Sequence, residues 1–105
     1  YARFGLLYLN NGNWQGEQVL PENWVAYSTT AANGSDRRYG AFFWLNQAGI
    51  DYPDVPRDIF SCRGHDGQFV YIIPSKELVI VRTGFSKSGE FDHNGFVTAI
   101  VDAVK

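Results

Sequence analysis

Two glycines frame a histidine and an aspartate at Gly64-His65-Asp66-Gly67, directly ahead of the apolar run Phe69 to Pro74. Glycines at a strand edge let a substrate come close to the backbone. A Gly-His-x-Gly run set directly before a buried strand makes His65, Gly64 and Gly67 candidate catalytic positions, with Arg63, Asp66 and Gln68 on the same segment as candidate substrate-binding positions. The plainer reading makes His65 a turn residue between glycines, and Asp66 is equally a common turn former. Ser61, His65 and Asp66 supply the letters of a nucleophilic triad, but they fall within six residues of one strand and turn and cannot easily converge. There is no Gly-x-Ser-x-Gly elbow. A metal site from His65, His93, Asp66 and Asp92 lacks ligand spacing on a helix, so no metal and no cofactor are expected. Cys62 is the only cysteine, which excludes an intrachain disulfide and a Cys-based zinc finger.

The segment needs a scaffold, and the flanking sequence predicts one. Gln68 to Ile73 and Leu78 to Thr83 read as two strands joined by Pro74-Ser75-Lys76-Glu77, an antiparallel hairpin. Phe69, Tyr71 and Ile73 fall on one face and Val70 and Ile72 on the other, so both faces of the sheet need cover. Asp92 or Asn94 can cap a closing helix in which Phe96, Ile100 and Val104 recur four apart, with Val97 and Val101 alongside. Phe4, Leu7 and Tyr8 mark a first helix ending near Asn10, and Pro21 to Thr29 a second. Thr29 to Arg38 reads as a loop, Tyr39 to Leu45 as a strand, and Gln47 to Asp58, with Gly49, Pro53 and Pro56, as an exposed excursion. Trp14, Trp24 and Trp44 read as core and loop anchors. The expected fold is α/β: an antiparallel sheet of about three strands with N-terminal helices and a C-terminal helix. The first two helices are short and far along the chain from the hairpin. One sheet face is therefore expected to be bare, open to a further region of the same protein or to a dimer partner.

A chain of 105 residues bounds the whole to one small folding unit, residues 1–105. With 45% apolar and 19% charged residues the balance is globular. A net charge of −2 and the scatter of Lys and Arg beyond Arg37 and Arg38 argue against nucleic acid as a partner. The longest apolar runs fall well short of the roughly 20 residues of a membrane span. The sequence has no methionine and opens on an uncapped apolar stretch. It is expected to be cut from a longer chain, removal of a signal peptide being the plainer alternative.

Three stretches together resemble the end of the serine β-lactamase-like, penicillin-recognising superfamily, which includes class C β-lactamases, D-amino-acid peptidases, family VIII esterases and nylon-oligomer hydrolases. The first runs from Ala2-Arg3-Phe4-Gly5 through Gly12, Trp14 and Gly16 to Val19-Leu20-Pro21-Glu22-Asn23-Trp24. The second is Tyr39-Gly40-Ala41-Phe42-Phe43-Trp44. The third is Arg63-Gly64-His65-Asp66-Gly67-Gln68-Phe69-Val70-Tyr71-Ile72-Ile73-Pro74, continuing into Leu78-Val79-Ile80-Val81. The third stretch is similar to the strand bearing that superfamily's third catalytic motif: Lys or His, a small residue, then Gly.

The resemblance implies acyl transfer by a Ser followed three residues later by a Lys, with a relay Tyr or Ser on a second loop. No serine here has a lysine at that spacing, and Tyr8-Leu9-Asn10 matches a Tyr-x-Asn relay only in its letters. Lys87-Ser88-Gly89 mimics the third motif but follows the last strand, where it reads as a polar loop. What remains is the wall of the site that supplies the third motif and an oxyanion donor. Two registers fit. In one, His65-Asp66-Gly67 is the motif and the imidazole faces the substrate. In the other it is Cys62-Arg63-Gly64, and the amide of His65 is the donor. The second keeps the hairpin spacing of the esterase and amide-hydrolase branch.

The resemblance thus implies a parent serine hydrolase of small-molecule esters, amides or β-lactams, bacterial and either periplasmic or cytoplasmic, whose missing N-terminal region partners this chain. Alone, the chain is expected to be inactive. The competing reading is a non-catalytic binding or assembly module of the same fold.

Overall fold

The computed structural model describes residues 1–104. In chain order it contains α1 (Ala2–Leu9), β1 (Asn13–Trp14), β2 (Glu17–Gln18), α2 (Trp24–Ser28), β3 (Trp44–Leu45), β4 (Phe60–Arg63), β5 (Phe69–Ile73), β6 (Leu78–Arg82) and α3 (His93–Ala103). Strands β1 and β2 form a small hairpin, and β3-β4-β5-β6 form one antiparallel sheet in that order. The mixed α/β fold with an antiparallel sheet, N-terminal helices and a C-terminal helix is the expected one. No helix among the described residues is long and apolar enough to cross a membrane.

The hairpin β5–β6 pairs Tyr71 with Ile80 and Ile72 with Val79, and each strand sends alternate side chains to opposite faces. On one face Tyr71, Ile73 and Ile80 pack with Val97 of α3 and with Tyr52, Val55 and Ile59. On the other, Val70 and Ile72 pack with Phe43, Leu45 and Phe60, and with Tyr8 and Leu9 of α1. Asp92 caps α3 as expected, its Oδ1 accepting from the amide of Gly95 at 2.9 Å.

The expectation of a bare sheet face is corrected. Helix α1 lies against β5 and β6 and covers the face opposite α3. It can do so because Gly5 is buried at the contact, where a Cβ would stand 2.5 Å from Val79 Cγ1. What stays open is the outer edge of β6, the last strand of the sheet. Gly5→Leu should therefore destabilise the fold by about 1–3 kcal/mol, the usual cost of overpacking a close contact. The shift in denaturant midpoint measures it, and an unchanged midpoint would mean that α1 does not seat on the sheet through Gly5.

Four further expectations change. The sheet has four strands rather than about three, because Phe60–Arg63 pairs along its length with Phe69–Ile72. Tyr39 to Leu45 is not one strand: Tyr39 bridges Trp44 across a tight turn in which Phe42 takes φ 69°. Gly40 makes that turn possible, its amide donating to Phe43 O at 2.8 Å while its backbone packs against the carbonyl of Ser28. Helix α2 begins at Trp24, since Pro21 O accepts from the Trp24 amide in a preceding turn. Gln47 to Asp58 is not simply an exposed excursion, because Tyr52 and Val55 are buried in the core. The buried Asn46 side chain folds it inward, donating to Tyr52 O at 2.8 Å and accepting from the Tyr52 amide at 3.1 Å.

Candidate active site

Strand β4 delivers the chain to the candidate segment and β5 carries it away. Between them, His65–Gly67 forms a 3-10 turn rather than a strand, with Asp66 at φ 58°, ψ 36° and Gly67 at φ 81°. Gly64 is extended, and its amide donates to Gln68 O at 2.6 Å, closing the neck of the hairpin. Gln68 Nε2 donates to His65 O at 3.3 Å. The structure thus brings Gly64, His65, Asp66, Gly67 and Gln68 together on one exposed turn.

The two parts of His65 differ. Its side chain is 92% exposed, with Nε2 lying 3.1 Å from Asp66 Oδ2. Its backbone N–H has no hydrogen-bond acceptor within the chain among the described residues. A cavity of about 300 Å³ opens beside the turn, lined by Gly64, His65, Gln68, Val70, Val81 and Thr83, with Cys62 and Arg82 among its further walls. The wall is mixed apolar and polar, and a free N–H at its rim is the kind of donor an anionic oxygen requires. Burial pushes the Cys62 thiol up, so the thiol form is favoured there.

Arg63 also borders the cavity, but its guanidinium is committed elsewhere. Nη2 donates to Asp51 Oδ2 at 3.0 Å, and the group lies 4.3 Å from the centre of the Trp44 ring. Asp51 is shared, its other oxygen accepting from Arg38 Nη2 at 2.7 Å. Burial alone would raise the Asp51 carboxyl; hydrogen bonds and charge from the two arginines outweigh it and hold the group below the usual carboxylate range. Among the candidate substrate-binding residues, Arg63 is thus the one placed in a structural network.

Two features escaped sequence reasoning. Arg82 Nη1 donates to Gly67 O and Nη2 to Ser86 Oγ, tying the turn to the segment after β6. A signal for it existed: Leu78, Ile80 and Arg82 share one face, and a cation on an inward face needs partners. His93 is the second. Its Nδ1 is hydrogen-bonded to the Tyr71 hydroxyl, and its ring lies 3.9 Å from that of Phe69 and 4.8 Å from that of Phe91. Among the described residues, no three His, Cys, Asp or Glu side chains gather as a metal site would require.

Burial, aided by Arg82 and Arg63, lowers the His93 pKa below its ordinary value, while Asp92 opposes this weakly. The neutral imidazole shares one hydrogen bond with Tyr71, whose hydroxyl burial keeps protonated. The unfolded chain takes up the proton first on acidification, so stability contributed by neutral His93 is present above about pH 6.5 and declines below it. Denaturant midpoints from pH 8 to pH 5 should fall in the wild type, and in His93→Gln that part of the slope should disappear. An identical slope in both proteins would remove His93 as its source.

No family model and no curated protein matches the chain. Among solved structures it is similar to a Bacillus anthracis chain bearing the provisional name 6-aminohexanoate-dimer hydrolase, with 26% identity and a TM-score of 0.64. The match covers 98% of this chain and 27% of that one, so the chain spans about a quarter of the solved protein's length. The likeness supports the β-lactamase-like superfamily of hydrolases as the source of this fold.

Proposed function

We propose that this chain forms the C-terminal wall of a serine-acylating hydrolase that cleaves ester, amide or β-lactam bonds, and that it contributes the backbone N–H of His65 to the oxyanion site. The observation that carries the reading is the unpaired amide of His65 at the rim of a cavity, in a fold similar to that of a hydrolase. The amide register, with Cys62-Arg63-Gly64 as the third motif, is the one adopted, because it keeps the hairpin spacing and because His65 Nε2 lies 3.1 Å from Asp66 Oδ2. A donor that is already free of internal partners costs no reorganisation when the tetrahedral oxyanion forms.

The nucleophile and its base belong to the rest of the protein, because no Ser-x-x-Lys occurs in this sequence. The chain is accordingly inactive by itself. A partner region, or a second copy, would meet the open edge of β6 rather than a bare sheet face. Fluorophosphonate labelling tests the proposal. The full-length protein should label at a serine before Tyr1 and the isolated 105-residue chain should not. Labelling of the isolated chain, or of neither, would sink the assignment.

A further inference from the structure

We infer that Arg82 is a positioning residue for the site, a clasp that holds the Gly64–Gly67 turn in the shape that presents the His65 amide. The inference rests on the acyl-transfer reading above and assigns a role within it to a residue on another strand.

The turn is not self-sustaining. Asp66 occupies the left-handed region at φ 58°, which costs a non-glycine residue about 1 kcal/mol or more, and Gly67 follows at φ 81°. Such a conformation persists only where the surroundings over-determine it. Here the surroundings are Arg82 and the segment after it. Arg82 Nη1 donates to Gly67 O, Nη2 donates to Ser86 Oγ at 2.8 Å, and the Ser86 amide donates to Asp66 O at 2.9 Å. Consecutive carbonyls of the turn, those of Asp66 and Gly67, are thus both held from the β6 side. The turn packs tightly on the clasp, because a Cβ at Gly67 would collide with Arg82 Nη1.

Arginine suits this place for a geometric reason. Its planar fork reaches two acceptors at once while its face lies on an aromatic ring. The guanidinium carbon sits 3.7 Å from the centre of the Phe91 ring, immediately before the Asp92 cap of α3. The clasp therefore joins the turn to β6, to the loop after it and to the start of α3. A lysine could keep one hydrogen bond but not the pair and not the stack.

The test uses the full-length protein with p-nitrophenyl acetate as substrate and phenylboronic acid as a mimic of the tetrahedral state. Arg82→Met is expected to lower kcat about 10- to 30-fold with KM within about threefold, less than the roughly 100-fold loss that a full 1 Å misplacement brings. Boronate affinity should weaken along with kcat, and Arg82→Lys should recover part of both. Should Arg82→Met fail to fold, Ser86→Ala removes one acceptor of the clasp, and a drop in kcat of about twofold or more, without a change in KM, is the expected result. Wild-type turnover combined with an unchanged kcat in Arg82→Met, or in Ser86→Ala if that variant must serve, would overturn the inference alone. A wild-type protein that neither hydrolyses the ester nor takes a fluorophosphonate would defeat the acyl-transfer reading, and this inference with it.

Discussion

Gly67→Val is expected to lower acyl transfer by the full-length protein about 100-fold or more, while His65→Ala lowers it less than about tenfold. The contrast follows from which atoms of the turn face the chemistry. Gly67 takes φ 81°, a conformation a β-branched residue adopts only with strain, and its α-hydrogen side is filled by the pinned guanidinium of Arg82. Valine must therefore move the turn, and with it the amide of His65. Alanine at position 65 keeps that amide and removes only an imidazole that is 92% exposed. Single-turnover acylation of both variants with p-nitrophenyl acetate measures the difference. If His65→Ala proves the more damaging, the imidazole is the working group and the register His65-Asp66-Gly67 replaces the amide register.

The parts of this arrangement that sequence reveals are those with a short period or a fixed cap. Alternation along Phe69–Ile73 and Leu78–Val81 marks the central hairpin, and the spacing of Phe96, Val97, Ile100 and Val101 after Asp92 marks α3. Glycines around His65 mark the turn. Strand β4 is hidden because Ser61, a polar residue with no hydrogen-bond partner for its hydroxyl, takes an inward position in a strand of only four residues. The inward fold of Gln47 to Asp58 depends on one buried amide side chain, that of Asn46, which mimics a backbone partner and leaves no periodic trace. Helix α1 was legible as a helix but not as a lid for the sheet, because Gly5, which lowers helix propensity, is what permits the close approach. The alternation of β6 marks Arg82 as an inward cation in need of partners, but which partners it finds, Gly67 and Ser86, is set by tertiary pairing and not by neighbouring letters.

Arg63 is where a functional and a structural role separate most sharply, and its removal should cost more stability than any other single change considered. Its side chain is 24% exposed, and its guanidinium pairs with Asp51 at 3.0 Å and lies over Trp44. Its Nε is buried without a partner, so the group is only just compensated where it stands. Truncation leaves Asp51, itself 16% exposed, with Arg38 as its one remaining counter-charge, and Arg38 is 42% exposed. Breaking one arm of such a network typically costs about 3 kcal/mol, and Arg63→Ala is expected to lose about that much at pH 7. The sign with pH follows from Asp51. Its carboxyl is held below 3.8 in the folded state, so the stability it contributes is complete above about pH 4 and is lost as the pH falls through the lowered value. The gap between wild type and Arg63→Ala should accordingly narrow below pH 4, and a cycle with Asp51→Asn should show a coupling of about 1 kcal/mol or more at pH 7. Denaturant midpoints give all of these quantities. A protein in which Arg63→Ala keeps its stability but raises KM would instead place this guanidinium on the substrate, as the sequence alone proposes.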